Sequence, residues 1–120
     1  MSKILVVDNE QDTVDLVAMI LSNTGYEILK AFNGKECLEI YKKSAPDLIL
    51  LDIMMPDLSG WDVFQRIKTK DKKQKVAFMS ALDVSEERLI QLKKSGLVGY
   101  IVKPFDSDKL IEEVKKMLEM

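Results

Sequence analysis

Side chains that could carry chemistry stand at the carboxyl ends of four apolar stretches. In chain order they are Asp8 and Asn9, then Asp52, then Ser80, and finally Lys103. Two carboxylates and an amide oxygen that converge on one point form a hard-oxygen site of the kind that Mg²⁺ prefers. A lysine and a hydroxyl opposite them could hold the oxygens of an anion. If these groups meet, the arrangement suits phosphoryl transfer onto a carboxylate.

The elements that must bring these groups together alternate regularly along the chain. Apolar runs typical of buried strands alternate with segments of helical periodicity, which predicts five βα units in an α/β protein. The predicted strands are residues 4–7, 26–30, 48–52, 76–80 and 99–102, and the helices are residues 10–24, 34–43, a short helix from Gly60, 83–94 and a last helix after Asp106. Five such units imply a doubly wound parallel sheet with helices on both faces. Ligands of such sheets bind beyond the carboxyl ends of the strands, where the candidate residues stand.

Some local signals refine these elements. On a helical wheel, Leu16 groups with Val17 and Leu21, which predicts that Leu16 faces the core. Asp83, with an acidic residue three positions later, resembles a capping box and predicts the start of the fourth helix. Asp106 is expected to cap the last helix.

Length, charge and residue composition restrict the classes of protein to which this chain could belong. The 120 residues are expected to form one domain, residues 1–120. A net charge of −2 gives no electrostatic case for nucleic acid or anionic lipid. No apolar run is long enough to span a membrane, and the N-terminus lacks the pattern of a secretory signal. A single cysteine, Cys37, fits a reducing cytoplasm. The absence of histidine excludes a phosphohistidine within this chain.

Four sequence segments resemble a known family. ILVVDNE, DLILLDIMMPDLSGWD, FMSA and YIVKPF are similar, at these spacings, to the motifs of response regulator receiver domains of two-component signalling. The resemblance covers essentially the whole chain. It implies a flavodoxin-like fold, a three-layer sandwich with a five-stranded parallel sheet of order 2-1-3-4-5. It also implies a signalling switch that catalyses only its own phosphorylation and dephosphorylation.

The resemblance assigns roles to the acidic residues and to the metal. Asp52 would be the phosphoacceptor, attacking a phosphohistidine on a histidine kinase or phosphotransfer protein. Mg²⁺ would be held by Asp8 through water, by Asp52 and by the backbone carbonyl of Met54. Asn9 stands where the family usually has an aspartate that binds the metal directly, so this site loses one formal charge. We therefore expect weaker metal binding than in an Asp-Asp version.

The resemblance also implies a switch. Ser80 would hydrogen-bond one phosphoryl oxygen and Lys103 would pair with another. Tyr100 would turn inward as Ser80 engages the phosphate, so that the surface formed by the fourth helix, the fifth strand and the fifth helix signals to an output domain or target protein. In such domains the first helix docks the phosphodonor, and Val14 and Ala18 are candidates for that contact or for the edge of the core.

Three alternative functions share some of these sequence features. A haloacid-dehalogenase-like phosphatase also uses a strand-end aspartate, but it needs a second aspartate where this chain has Met54. A flavodoxin-like electron carrier would need a first loop rich in Ser, Thr and Gly, whereas Asp8 begins an acidic loop. A pseudoreceiver that binds partners without phosphorylation is supported only by Asn9. The kinase, the stimulus and the output are not specified by the sequence.

Overall fold

Five strands and five helices alternate along the chain. The computed structural model describes residues 1–120, and its elements are β1 (Lys3–Val7), α1 (Gln11–Asn23), β2 (Glu27–Ala31), α2 (Gly34–Ser44), β3 (Leu48–Leu51), α3 (Gly60–Lys70), β4 (Val76–Ser80), α4 (Glu86–Lys94), β5 (Leu97–Val102) and α5 (Ser107–Glu119). None of the five helices combines the length and the apolar composition that a membrane crossing requires.

The sheet is parallel throughout, with strand order β2-β1-β3-β4-β5. This order confirms the doubly wound α/β fold expected from the sequence. One apolar core lies between the sheet and α2, α3 and α4, and a second lies between the sheet and α1 and α5. Because both faces of the sheet are covered, β1 and β3 are buried on both sides and appear in the sequence as continuous apolar runs.

Helix ends follow local capping rules, with one correction. Asp106 caps α5 as predicted, since its side chain accepts a hydrogen bond from the Lys109 amide. The capping box predicted at Asp83 is wrong. The N-cap of α4 is Ser85, whose hydroxyl accepts from the Arg88 amide at 3.1 Å. Serine satisfies the same free amide at the helix start as aspartate would, so composition alone did not distinguish the two positions.

The core face of α1 differs from the helical-wheel prediction. Val14 and Ala18 are buried, together with Val17 and Leu21, and therefore belong to the core. Leu16 is 49% exposed and points away from it. The core stripe is displaced because the helix packs against both the sheet and α5, so that its buried arc includes Val14. The fifth strand also begins two residues earlier than predicted, at Leu97.

Cys37 is an internal packing residue of α2. It is fully buried, and burial raises the pKa of its thiol to about 12. A thiol with this pKa remains protonated at neutral pH and is therefore a poor nucleophile.

Two glycines pack closely but with very different neighbours. A Cβ atom at Gly60 would clash with the backbone carbonyl oxygen of Asp52 and lie 2.7 Å from the Cα atom of Ile53. The three atoms nearest to a Cβ atom at Gly99 all belong to the flexible side chain of Met117. The first site can relieve the clash only by moving backbone, whereas the second can relieve it by a change of rotamer.

We therefore expect Gly60→Ala to lower the free energy of unfolding by about 3 kcal/mol, the upper part of the range for overpacking. Gly99→Ala, the matched control, should change it by less than about 1 kcal/mol, because the unfolded chain also loses freedom. Urea unfolding followed by circular dichroism measures both values. An equal decrease in the free energy of unfolding of the two variants would contradict this interpretation of the packing.

Candidate functional site

Asp8, Asp52 and Lys103 meet at the carboxyl edge of the sheet. Lys103 Nζ forms an ion pair with Asp8 Oδ2 and lies 3.8 Å from Asp52 Oδ2. Each residue directly follows its strand, and β1 and β3 are neighbours with Val7 opposite Leu51. The parallel register therefore places Asp8 and Asp52 side by side. Lys103 precedes Pro104, and the peptide bond between them is cis.

Backbone hydrogen bonds hold these residues beyond the ends of the strands. The Asp52 amide donates to the Val7 carbonyl at 3.0 Å, and the Lys103 amide donates to the Ser80 carbonyl at 2.8 Å. The first bond extends the pairing of β1 with β3 by one residue, to Asp52, and the second extends the pairing of β4 with β5 by one residue, to Lys103. The side chains are thus carried by the rigid sheet and not by mobile loops.

Burial sets the electrostatics of the two carboxylates. Asp8 is fully buried and Asp52 is 6% exposed. Burial, followed by the negative charge of Asp8, raises the pKa of Asp52, while Lys103 and the backbone amides of Met54 and Ile53 act to lower it. The carboxylate of Asp52 is therefore poorly solvated, which favours its use as a nucleophile.

The donor set fits a hard divalent cation. Asp8 Oδ1 accepts from the Glu10 amide at 3.0 Å, and its other oxygen faces Lys103. Asn9, which follows Asp8 in the chain, is exposed, and no third acid joins the two carboxylates. Lys103 is the positively charged group that both carboxylates face. A metal ion held by these two carboxylates would add a second positive charge close to Lys103.

Ser80 and Tyr100 are linked through the loop that follows β4. Ser80 is buried at the end of β4, and its hydroxyl accepts from the Leu82 amide at 3.2 Å. The Tyr100 hydroxyl donates to the Leu82 carbonyl at 2.5 Å. Burial raises the pKa of Tyr100, the nearby Ser80 hydroxyl partly opposes this increase, and the charges of Asp83 and Asp52 add to it. Tyr100 also packs edge-on against Phe78, with ring centroids 6.2 Å apart. Its ring is thus already half-buried beside the Ser80 loop.

An apolar depression of about 510 Å³ opens beside the carboxylates. Its lining includes Asn9, Met54, Trp61 and Leu82. Met54 is 61% exposed and Leu82 is 39% exposed. Two predicted site residues, Asn9 and Met54, therefore line the same depression as Leu82.

Two residues that hold the loop after Asp52 were not singled out from the sequence. Asp57 accepts hydrogen bonds from the backbone amides of Gly34 and Lys35, both at 3.0 Å, and so joins this loop to the start of α2. Those bonds lower the pKa of Asp57 despite its partial desolvation. Gly60 allows the close backbone contact with Asp52. No local sequence pattern indicates the partner of Asp57, which lies 23 residues away.

Comparisons with known proteins agree with this geometry. The family model of the response regulator receiver domain matches residues 4–115. Sporulation initiation phosphotransferase F of Bacillus subtilis (strain 168) is 35% identical over 121 residues, covering 98% of this chain and 94% of that protein. Regulatory protein VanR of Enterococcus faecium is 38% identical over 116 residues, covering 97% of this chain and 49% of that protein.

The structural comparison gives the same family. The receiver domain of Francisella response regulator 1452 superposes with a TM-score of 0.89 at 32% identity, covering 99% of this chain and 98% of that one. The chain spans 45% to 49% of the length of the similar transcriptional regulators, VanR included. Since the family model and these relatives match almost the whole chain, this protein belongs to the response regulator receiver domain family, the signalling switches of two-component systems.

Proposed function

We propose that Asp52 accepts a phosphoryl group from a phosphohistidine of a histidine kinase or phosphotransfer protein, in a Mg²⁺-dependent reaction. The observation that carries this proposal is the meeting of the buried Asp8 and Asp52 carboxylates with Lys103 at the carboxyl edge of the sheet. This is the arrangement that in-line transfer to a carboxylate requires, namely a nucleophile beside fixed positive charge.

The chemistry is a displacement at phosphorus. An oxygen of Asp52 forms the new P–O bond, the P–N bond to the donor imidazole breaks, and the imidazole leaves with that electron pair. Asp8, Asn9, Asp52 and the Met54 carbonyl would hold Mg²⁺, which when bound neutralises charge on the phosphoryl oxygens.

The remaining groups stabilise the product. Lys103 pairs with a phosphoryl oxygen in place of Asp8, and the Ser80 hydroxyl donates to another. The chain thus supplies its own catalytic groups. Incubation with acetyl phosphate and Mg²⁺ tests this directly, because intact-mass measurement should show one added phosphoryl group that hydroxylamine removes. No added mass would contradict the proposal.

Asn9→Asp should tighten Mg²⁺ binding about tenfold, which corresponds to about 1.4 kcal/mol. The added carboxylate restores a formal charge to a site that contains two carboxylates and one lysine. Calorimetric titration with Mg²⁺ measures both affinities. Glu10→Gln is the matched control, since that side chain is exposed at the N-cap of α1 and should not be a ligand. Equal affinity in wild type and Asn9→Asp, with loss in Glu10→Gln, would show that Glu10 already supplies the charge.

Phosphorylation should act on the surface of α4, β5 and α5 through Ser80 and Tyr100. When Ser80 turns to the phosphoryl oxygens, its bond to the Leu82 amide is lost, and the loop that also receives the Tyr100 hydroxyl must adjust. We expect beryllofluoride, a phosphoryl mimic, to shift the amide resonances of residues 80–105 most strongly. Tyr100→Phe should reduce the shifts in β5. Perturbations confined to the loops around Asp8 and Asp52 would contradict this route. The receiving partner is an output domain or a target protein.

A further inference from the structure

A groove runs between α2 and α3, and neither Asp8 nor Asp52 lines it. It consists of two adjoining depressions of about 370 Å³ and about 490 Å³, which share Leu38, Lys42 and Arg66. Leu38, Tyr41 and Ile67 give the first depression an apolar floor. The floor continues the core, because these side chains belong to or pack against the apolar cluster beneath α2 and α3.

Four cations rim this groove, two from each helix: Lys35, Lys42, Arg66 and Lys70. All four are exposed, and none forms an ion pair. Only two carboxylates share the lining, Glu39 and Asp57, and both Asp57 oxygens already accept backbone amides. The groove is therefore positive on a chain whose net charge is −2.

We propose that the groove between α2 and α3 is a docking site for an acidic amphipathic segment of a partner protein. An apolar floor between two cationic rims matches a helix with an apolar stripe flanked by glutamate or aspartate. Nucleic acid fits less well. The one aromatic ring in the groove, Tyr41, donates its hydroxyl to Asp71 at 3.0 Å and packs on the core, so it is not free to stack on a base.

The probe is a synthetic acidic peptide of about 16 residues, in which a leucine stripe at helical spacing is flanked by glutamates. Titrated into the isotope-labelled full chain, it should shift the amides of α2 and α3 and leave those of α4 and α5 unchanged. A second peptide with every glutamate replaced by glutamine should bind about tenfold more weakly, because it loses the electrostatic attraction to the cationic side chains of the groove. Equal binding of both peptides would overturn the charge-based part of the proposal and hence the proposal itself.

Two double variants separate this groove from a general charge effect. Lys42→Glu with Arg66→Glu should weaken the acidic peptide about tenfold or more, and Lys93→Glu with Lys94→Glu, an equal change in charge on α4, should alter its affinity by less than about twofold. If the first pair fails to fold, Lys42→Gln with Arg66→Gln takes its place. Equal loss in both pairs would overturn the proposal, as would tighter binding of a short DNA duplex than of the peptide.

Discussion

Replacing Asp52 with asparagine is expected to abolish phosphorylation by acetyl phosphate. The amide has no anionic oxygen to attack phosphorus, and no other carboxylate takes the same position. Asp8, the nearest acid, has one oxygen bonded to the Glu10 amide and the other paired with Lys103. Intact-mass analysis after incubation with acetyl phosphate and Mg²⁺ should show the added phosphoryl group in wild type and none in the variant.

Loss of labelling in Asp52→Asn would not be caused by unfolding. Folding raises the pKa of Asp52, chiefly through burial, so the native state binds its proton more tightly than the unfolded chain does. The ionised carboxylate therefore reduces stability above that raised pKa, and the reduction disappears as the pH falls through it. A neutral amide should leave the protein as stable or more so at neutral pH.

A matched control uses an exposed acid. Asp108→Asn changes a carboxylate in the first turn of α5, at the surface, and should leave the labelling complete. Full labelling of Asp52→Asn would remove Asp52 from its proposed role. Loss of labelling in both variants would point to a general effect of charge on acetyl phosphate binding.

The strand ends could be predicted from the sequence because the rule behind them is geometric. Apolar runs locate the strands, and a parallel sheet gathers their carboxyl ends at one edge, so Asp8, Asp52 and Lys103 were expected to meet before any contact was known. The structure brings those three together. Met54 was assigned to the site only by the family resemblance, and the depression that it lines together with Asn9 was not predicted.

Contacts between distant segments could not be predicted in this way. The bond between Asp57 and the start of α2 depends on how a loop lies against a helix that precedes it in the chain. The exposure of Leu16 depends on the angle at which α1 packs between the sheet and α5. The cationic groove exists only because α2 and α3 lie side by side, which places Lys42 next to Arg66. Local pattern contains none of this information.

The depression next to the site is lined mainly by apolar side chains. Hydrolysis of an aspartyl phosphate needs a water in line with phosphorus, on the side opposite Asp52. The family resemblance implies that the residues two positions after the acceptor and two positions after the hydroxyl residue flank this approach. In this chain they are Met54 and Leu82, which line one depression together and are both partly exposed. Neither side chain can orient a water by hydrogen bonding.

We therefore expect a long-lived phosphoprotein, which loses phosphate about tenfold more slowly than the variant Met54→Asn with Leu82→Glu. The amide and carboxylate in that variant can hold a water against the phosphorus, and a tenfold change requires only about 1.4 kcal/mol in the barrier. Phosphate release is measured after removal of the donor, in excess Mg²⁺ so that metal occupancy is equal. Ile90→Glu is the control, because it places an acid on the exposed face of α4 and should leave the rate unchanged. If wild type releases phosphate as fast as the polar variant, the apolar rim does not protect the acyl phosphate.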